Sequence, residues 1–296
     1  MSVTPVPQTA QFLMRLHTQL RRDQRCEAST TLENWQQFLS TVALHNRAEA
    51  SRRRIHRVMG GLAGLVAVGL IWVMPAAGLF LTFCLIVTGL VFRRIVLSRS
   101  ARSLQHQATQ YHLLRFIRSL LAVLRADMRP GEPLRLRLDL RGSTVKAKQT
   151  EKRPPAGGKR TYPQIAETCY VDPWLSGETR LVDGSVLAWG VVDHIRQRTV
   201  TRRKSRGRIK RKTKYKVKRC IDVRLGVRQD LYTPTPATRP TPDHLSLRSG
   251  GKRHVIKARR IITTETLEAG PQVRDVLDLI AQAYRRVAPL RGKGPA

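Results

Sequence analysis

The chain has 296 residues, and its 55 lysines and arginines against 20 aspartates and glutamates give a formal net charge of +35. Such an excess demands a polyanionic counterpart: nucleic acid, a ribosomal surface or anionic lipid. Four scattered cysteines, Cys26, Cys84, Cys169 and Cys220, contain no CxxC pair, so neither a disulfide framework nor a cysteine zinc site is expected.

No basic segment precedes an apolar core within the first 13 residues, so no cleavable signal peptide is expected. Phe12, Leu13, Leu16 and Leu20 fall on one stripe of an amphipathic helix that ends at Arg21 and Arg22. Thr30-Thr31-Leu32-Glu33 has the form of a capping box, and Leu32, Trp35, Leu39 and Val42 continue it as a second helix.

Residues 58–92 carry no charge and are interrupted by Pro75-Ala76-Ala77-Gly78. As one helix this run would be roughly 52 Å long, against ~30 Å of hydrocarbon, so two short crossings over 58–74 and 76–92 fit better. Arg52, Arg53, Arg54 and Arg57 lie before it and Arg93, Arg94, Arg99 and Arg102 after it, which places both flanks on the cytoplasmic side. Small residues at helical spacing (Gly60, Gly64 and Ala67, then Gly78 and Thr82) would let the two arms approach closely. The expectation is a multi-pass protein of the plasma (inner) membrane with cytoplasmic termini; a re-entrant hairpin or one kinked crossing are the alternatives.

Leu104, Ala108, Tyr111, Leu114, Ile117, Leu121 and Leu124 then recur every three or four residues until Pro130-Gly131. They predict a long exit helix, packed beside the entering helix as a stalk or lying on the membrane surface.

The period changes to two at Leu134, Leu136, Leu138 and Leu140, which alternate with Arg135, Arg137, Asp139 and Arg141. A loop is predicted over 142–162, a short strand over 168–171, a turn at Asp172-Pro173-Trp174 and a hairpin turn at Asp183-Gly184. Residues 196–219 hold fourteen basic side chains and no acid. If 205–207 make the turn, paired positions sum to about 412, and one face gathers the basic residues while Thr213, Tyr215, Val217, Ile221, Val223, Leu225 and Val227 share the other. The segment 232–242 reads as an extended Pro-rich connector, 254–262 as a last strand, and Pro271 opens a C-terminal helix through Val273, Val276, Leu277, Ile280, Tyr284 and Val287.

The predicted fold class is therefore an α+β membrane protein: a two-helix transmembrane hairpin with cytosolic helical extensions, then a small antiparallel β domain with a long basic β-ribbon and a C-terminal helix. Its divisions are N-terminal helices (1–57), hairpin (58–92), exit helix (93–130), β domain (131–262, basic arm 186–227), and C-terminal helix and tail (263–296).

Arg196, Arg198, Arg202, Arg203, Lys204, Arg206, Arg208, Lys210, Lys212, Lys214, Lys216 and Lys218 are the candidate polyanion-binding residues, with Tyr215 as a stacking position. Aromatic residues make up only 5% of the chain, so base-by-base readout is not expected. RNA, the ribosome and DNA are equivalent partners at this level. A scaffold resting on anionic headgroups without nucleic acid is the alternative, and protein partners or a homo-oligomer are left open.

No HExxH, GxSxG, P-loop or dinucleotide spacing occurs, so no catalytic residue, metal or cofactor is assigned and a binding protein rather than an enzyme is expected. His45, His56, His106, His112 and His194 form no ligand spacing. Asp172 and Asp183 read as turn residues. The two Gly-Gly-Lys-Arg tetrads, 157–160 and 250–253, are weak candidates for holding an anion.

Overall fold

The computed structural model describes residues 8–44, 51, 114–154, 163–203, 207–235, 244–267 and 269–290. The chain divides into two units, one made of Met1–Phe38 and Arg115–Ala296, the other of Leu39–Leu114. Of the second unit, residues 39–44, 51 and 114 are described, and all are helical.

Alternation of apolar and polar side chains, visible in the sequence at 134–140, recurs through most of the first unit and builds an antiparallel sheet of eight strands. The strands are β1 (Arg25–Thr31), β2 (Pro133–Asp139), β3 (Gln149–Arg153), β4 (Gln164–Arg180), β5 (Val186–Arg203) and β6 (Ile209–Arg228), followed by β8 (His244–Gly250) and β9 (Arg253–Thr264). Their order is β1-β2-β4-β5-β6-β9-β8, with β3 on the distal part of β4. A separate pair joins β7 (Tyr232–Pro234) to β10 (Val287–Pro289).

Leu134, Leu136 and Leu138 on β2, Leu187, Val191 and Ile195 on β5, and Val217, Ile221, Val223 and Leu225 on β6 are all buried. Each such aliphatic side chain contributes about 1.5–3 kcal/mol by leaving water, so this face sets the register. Pairing of β5 with β6 runs from Val186↔Gly226 to Arg203↔Ile209, and every pair sums to the 412 expected from the sequence. A slip of one residue would turn the apolar row outward.

Helices pack on this frame. Helix α1 (Gln8–Asp23) packs against β1 and buries Leu16 and Leu20. The next helix, α2, is described over 32–44; its Trp35 indole donates to the Leu134 carbonyl at 3.0 Å and meets Phe38 edge to face. Thr31, one residue later than the expected cap, accepts from the Asn34 amide at 3.5 Å. A third helix, α3, described over 114–124, sets Phe116 edge-on to Trp174 at 5.9 Å. At the C-terminus α4 (Val273–Tyr284) packs against β6 and β9, capped reciprocally by Gln272 and Asp275.

The architecture corrects the expected fold class. The transmembrane helical hairpin and the multi-pass inner-membrane placement are not upheld: among the described residues no helix is long and apolar enough to cross a bilayer. Residues 58–92 themselves lie outside the described residues, as do 93–113, where the exit helix was expected to begin. The sheet, rather than the apolar run, organises the described chain, and it is larger than the small domain expected after 131. It reaches back to β1, whose inward Cys26, Ala28 and Thr30 pair with Leu138, Leu136 and Leu134. These small residues left no apolar alternation to read.

A further correction concerns a turn. Asp172-Pro173-Trp174 is not a turn but a bulge within the long strand β4, where the register to β5 shifts between Pro173 and Leu175. A bulge is where a strand tolerates the missing N–H of proline. The tetrad 250–253 is the connection between β8 and β9, with Gly251 at φ +62°; its partner at 157–160 lies outside the described residues.

Candidate functional site

The distal halves of β5 and β6 form a ribbon because their alternation continues beyond the end of β9. Strand β9 pairs with β6 only as far as Thr264↔Val217. From residue 216 outward to 209, β6 therefore has β5 on one side and, among the described residues, no strand on the other.

On one face of the ribbon the register sets Arg196 opposite Lys216, Arg198 opposite Lys214 and Arg202 opposite Lys210. Val200 opposite Lys212 and His194 opposite Lys218 complete the row. Like charges directly across a ladder are destabilising by roughly 0.2–1 kcal/mol per pair. Beyond the root this face is held in place by backbone pairing rather than by ion pairs among the described residues.

Several cations elsewhere on the sheet have carboxylates, although Arg224 and Lys257, paired across β6 and β9, make no ion pair among the described residues. Arg135 bonds Glu27 at 2.7 Å, Arg259 bonds Asp222 at 2.5 Å and the buried Arg219 bonds Asp193 twice at 2.7 Å. On the ribbon one carboxylate, Glu167 of β4, reaches the root: it accepts from Arg196 at 2.6–3.0 Å and lies 3.8 Å from Arg198. Lys210, Lys212, Lys214 and Lys216 are exposed, and among the described residues they make no ion pair.

The opposite face changes character along its length. At the root Tyr170, Ile195 and Val217 form a buried cluster, and Tyr215 and Leu267 pack against it. Burial raises the Tyr170 phenol pKa, and its hydroxyl donates to Gln197, the residue paired with Tyr215. Thr199 and Thr213 follow with hydroxyls 3.4 Å apart. Beyond them Arg203 and Arg211 are exposed, so the tip is basic on both faces.

An open cleft of about 410 Å³ lies where β6 loses β9 as a neighbour. Arg196, Arg198, Lys214 and Lys216 line it, with Tyr215 and Thr213 beside them. Glu265, in the segment that leaves β9, completes the lining.

The predicted residues are thus brought together over Arg196–Arg203 and Arg208–Lys218. Lys204 and Arg206 lie outside the described residues. Trp174 and Trp189 are core side chains at 2% and 4% exposure, so neither joins Tyr215 as a stacking surface.

Sequence reasoning missed Arg219, Lys148 and Glu265. Arg219 was counted with the basic run, yet it is buried, faces Asp193 and donates to the Ala269 carbonyl. Its odd position, shared with Val217 and Ile221, was the available signal. Lys148, expected in a loop, is buried with Nζ 2.5 Å from Asp172 and 3.1 Å from Asp139. Burial, offset in part by Lys148 and reinforced by Asp193 and Asp139, pushes the Asp172 carboxyl up to about 6. Nothing in the local sequence pairs Lys148 with Asp172.

Asp183 does make the turn bonds expected of it, accepting from the Ser185 amide at 2.9 Å. It also accepts from the hydroxyls of Tyr232 and Tyr284, which ties the β7 strand and α4 to the β4–β5 turn. Partial burial works against its ionisation, but these hydrogen bonds outweigh it and hold the carboxyl below its ordinary pKa.

Compared with known protein families, with curated proteins and with solved structures, the chain matches none. The functional reading therefore stands on the site.

Proposed function

We propose that this protein is a nucleic-acid-binding protein that grips phosphates with the basic face of the β5–β6 ribbon. The observation that carries the reading is the facing of cation by cation at Arg196/Lys216, Arg198/Lys214 and Arg202/Lys210, where among the described residues Glu167 is the one carboxylate in an ion pair with that row. A row that repels itself in the free protein gains most from a polyanion. The spacing supports it as well, because alternate residues on a strand project about 6.6 Å apart along it, and single-strand phosphates recur at a comparable step.

Backbone phosphates carry no sequence information, so this contact is general in sequence and steep in salt. The four unpaired lysines are the principal contacts, and Arg196 is a secondary one because Glu167 already holds it.

The test is fluorescence anisotropy of labelled RNA and DNA oligonucleotides with the full chain between about 50 and 200 mM salt. The expected result is binding whose logarithmic salt slope shrinks when Lys210, Lys212, Lys214 and Lys216 are replaced by glutamine. Absence of binding at the low-salt end, or binding only to anionic vesicles, would overturn the reading.

A further inference from the structure

The cleft at the root of the ribbon contains something a pure phosphate site would exclude. Glu265 borders it among four cations, yet among the described residues it makes no ion pair with any of them. A carboxylate there weakens phosphate binding at that point through like-charge repulsion. It is, however, a good acceptor for an N–H donor.

Tyr215 provides the second element. Tyr215 lines the cleft at the free edge of β6, from the face opposite Lys214 and Lys216, and packs against the Tyr170, Ile195 and Val217 cluster, so little side-chain freedom remains to be lost on binding. Aromatic side chains braced in this way are the stacking platforms of single-strand binders. The volume, about 410 Å³, falls within the ~300–1,000 Å³ typical of small-molecule clefts. It suits one nucleotide and not a duplex, whose bases are already stacked and paired.

The segment that leaves β9 is positioned by the core. Leu267 packs on the same cluster, and the buried Arg219 donates to the Ala269 carbonyl, so the chain beyond β9 is fastened at those two residues. Glu265 is thereby presented at a fixed edge of the cleft, although its side chain is exposed.

We propose that this cleft takes one unpaired nucleobase bearing an exocyclic amino group, with Tyr215 as the stacking surface, Glu265 accepting from the amine, and Lys214 and Lys216 holding the adjoining phosphates. The proposal rests on the nucleic-acid reading above and adds to it a preference for single strands and for amino-bearing bases. Cytosine against uracil is the cleanest comparison. The two have the same size and stacking face, but cytosine offers an N4 amine where uracil presents a carbonyl oxygen, which a carboxylate repels.

The test measures labelled oligocytidine and oligouridine of about 12 nucleotides, as RNA and as DNA, on the full chain at matched salt concentrations between about 50 and 200 mM. Oligocytidine is expected to bind roughly five- to tenfold more tightly than oligouridine. Glu265→Gln is expected to abolish most of that ratio, chiefly by strengthening oligouridine binding as the repulsion disappears. Tyr215→Leu, which keeps an apolar side chain against Val217, is expected to weaken both oligomers about fivefold or more; circular dichroism confirms that it folds. Equal affinity for the two oligomers with a steep salt slope, or a cytidine preference untouched by Glu265→Gln, would overturn this inference and leave phosphate binding standing. Failure of both oligomers to bind at low salt would overturn both.

Discussion

Arg219 faces Asp193 across β6 and β5, and two hydrogen bonds of 2.7 Å join guanidinium to carboxylate within the core. Both residues are almost fully buried, at 4% and 6% exposure. Removing one partner of such a pair strands a charge in a low-dielectric site and typically costs about 3–5 kcal/mol. Arg219→Ala is therefore expected to lower the urea unfolding free energy by about that amount. Combining Arg219→Met with Asp193→Leu should recover most of it, since the desolvation penalty vanishes with the charges. A double variant as unstable as Arg219→Ala would show that the pair is favourable in its own right.

Gly177 on β4 lies opposite Trp189 on β5, and the indole occupies the space a Cβ at 177 would need. The position requires glycine for close approach, not for its backbone angles. Gly177→Ala is expected to push the Trp189 ring out of its site and cost about 1–3 kcal/mol. Thermal denaturation with near-ultraviolet circular dichroism reads both effects; an unchanged aromatic spectrum would contradict them.

Strand alternation made the ribbon legible before any coordinates: the 412 register and the apolar odd positions of β6 follow from Val217, Ile221, Val223 and Leu225 facing one way. The same reasoning failed at β1, where Cys26, Ala28 and Thr30 are too small to mark a face. It failed at Pro173 because a bulge and a turn share the same local chemistry. Glu265 was illegible for a different reason: its place beside Tyr215 depends on where β9 stops and on a bond from Arg219 to Ala269, neither of which is local in sequence. At 58–92 composition was read as architecture, and the organisation of the described chain came instead from long-range strand pairing.

Asp172 gives the fold a pH dependence of defined sign. Its carboxyl is pushed from 3.8 up to about 6 by burial, with Lys148 opposing and Asp193 and Asp139 adding to the rise. Between those two values the folded state binds more proton than the unfolded state, so this group's contribution to stability falls as pH rises through the window. Asp172→Asn cannot titrate. Its stability relative to the unsubstituted chain should therefore increase between pH 4 and pH 7, whatever the constant cost of losing the charged partner of Lys148. Parallel stability curves from urea melts at each pH would refute the assignment.

The ribbon's lysines should trade stability against binding. In the free protein Lys214 stands opposite Arg198 and Lys210 opposite Arg202, so replacing both lysines with threonine removes two repulsive pairs, each worth roughly 0.2–1 kcal/mol. A small rise in melting temperature is expected, because threonine also suits an exposed strand. Binding should move the other way. Each phosphate contact contributes about 0.7 to the logarithmic salt slope on a single strand, so losing two lysines should flatten that slope by about 1.4 while weakening affinity most at low salt. Titrations at four salt concentrations separate this from a general loss of fold, which would lower melting temperature and binding together. A variant that is more stable and binds with an unchanged slope would place the phosphate contacts elsewhere on the sheet.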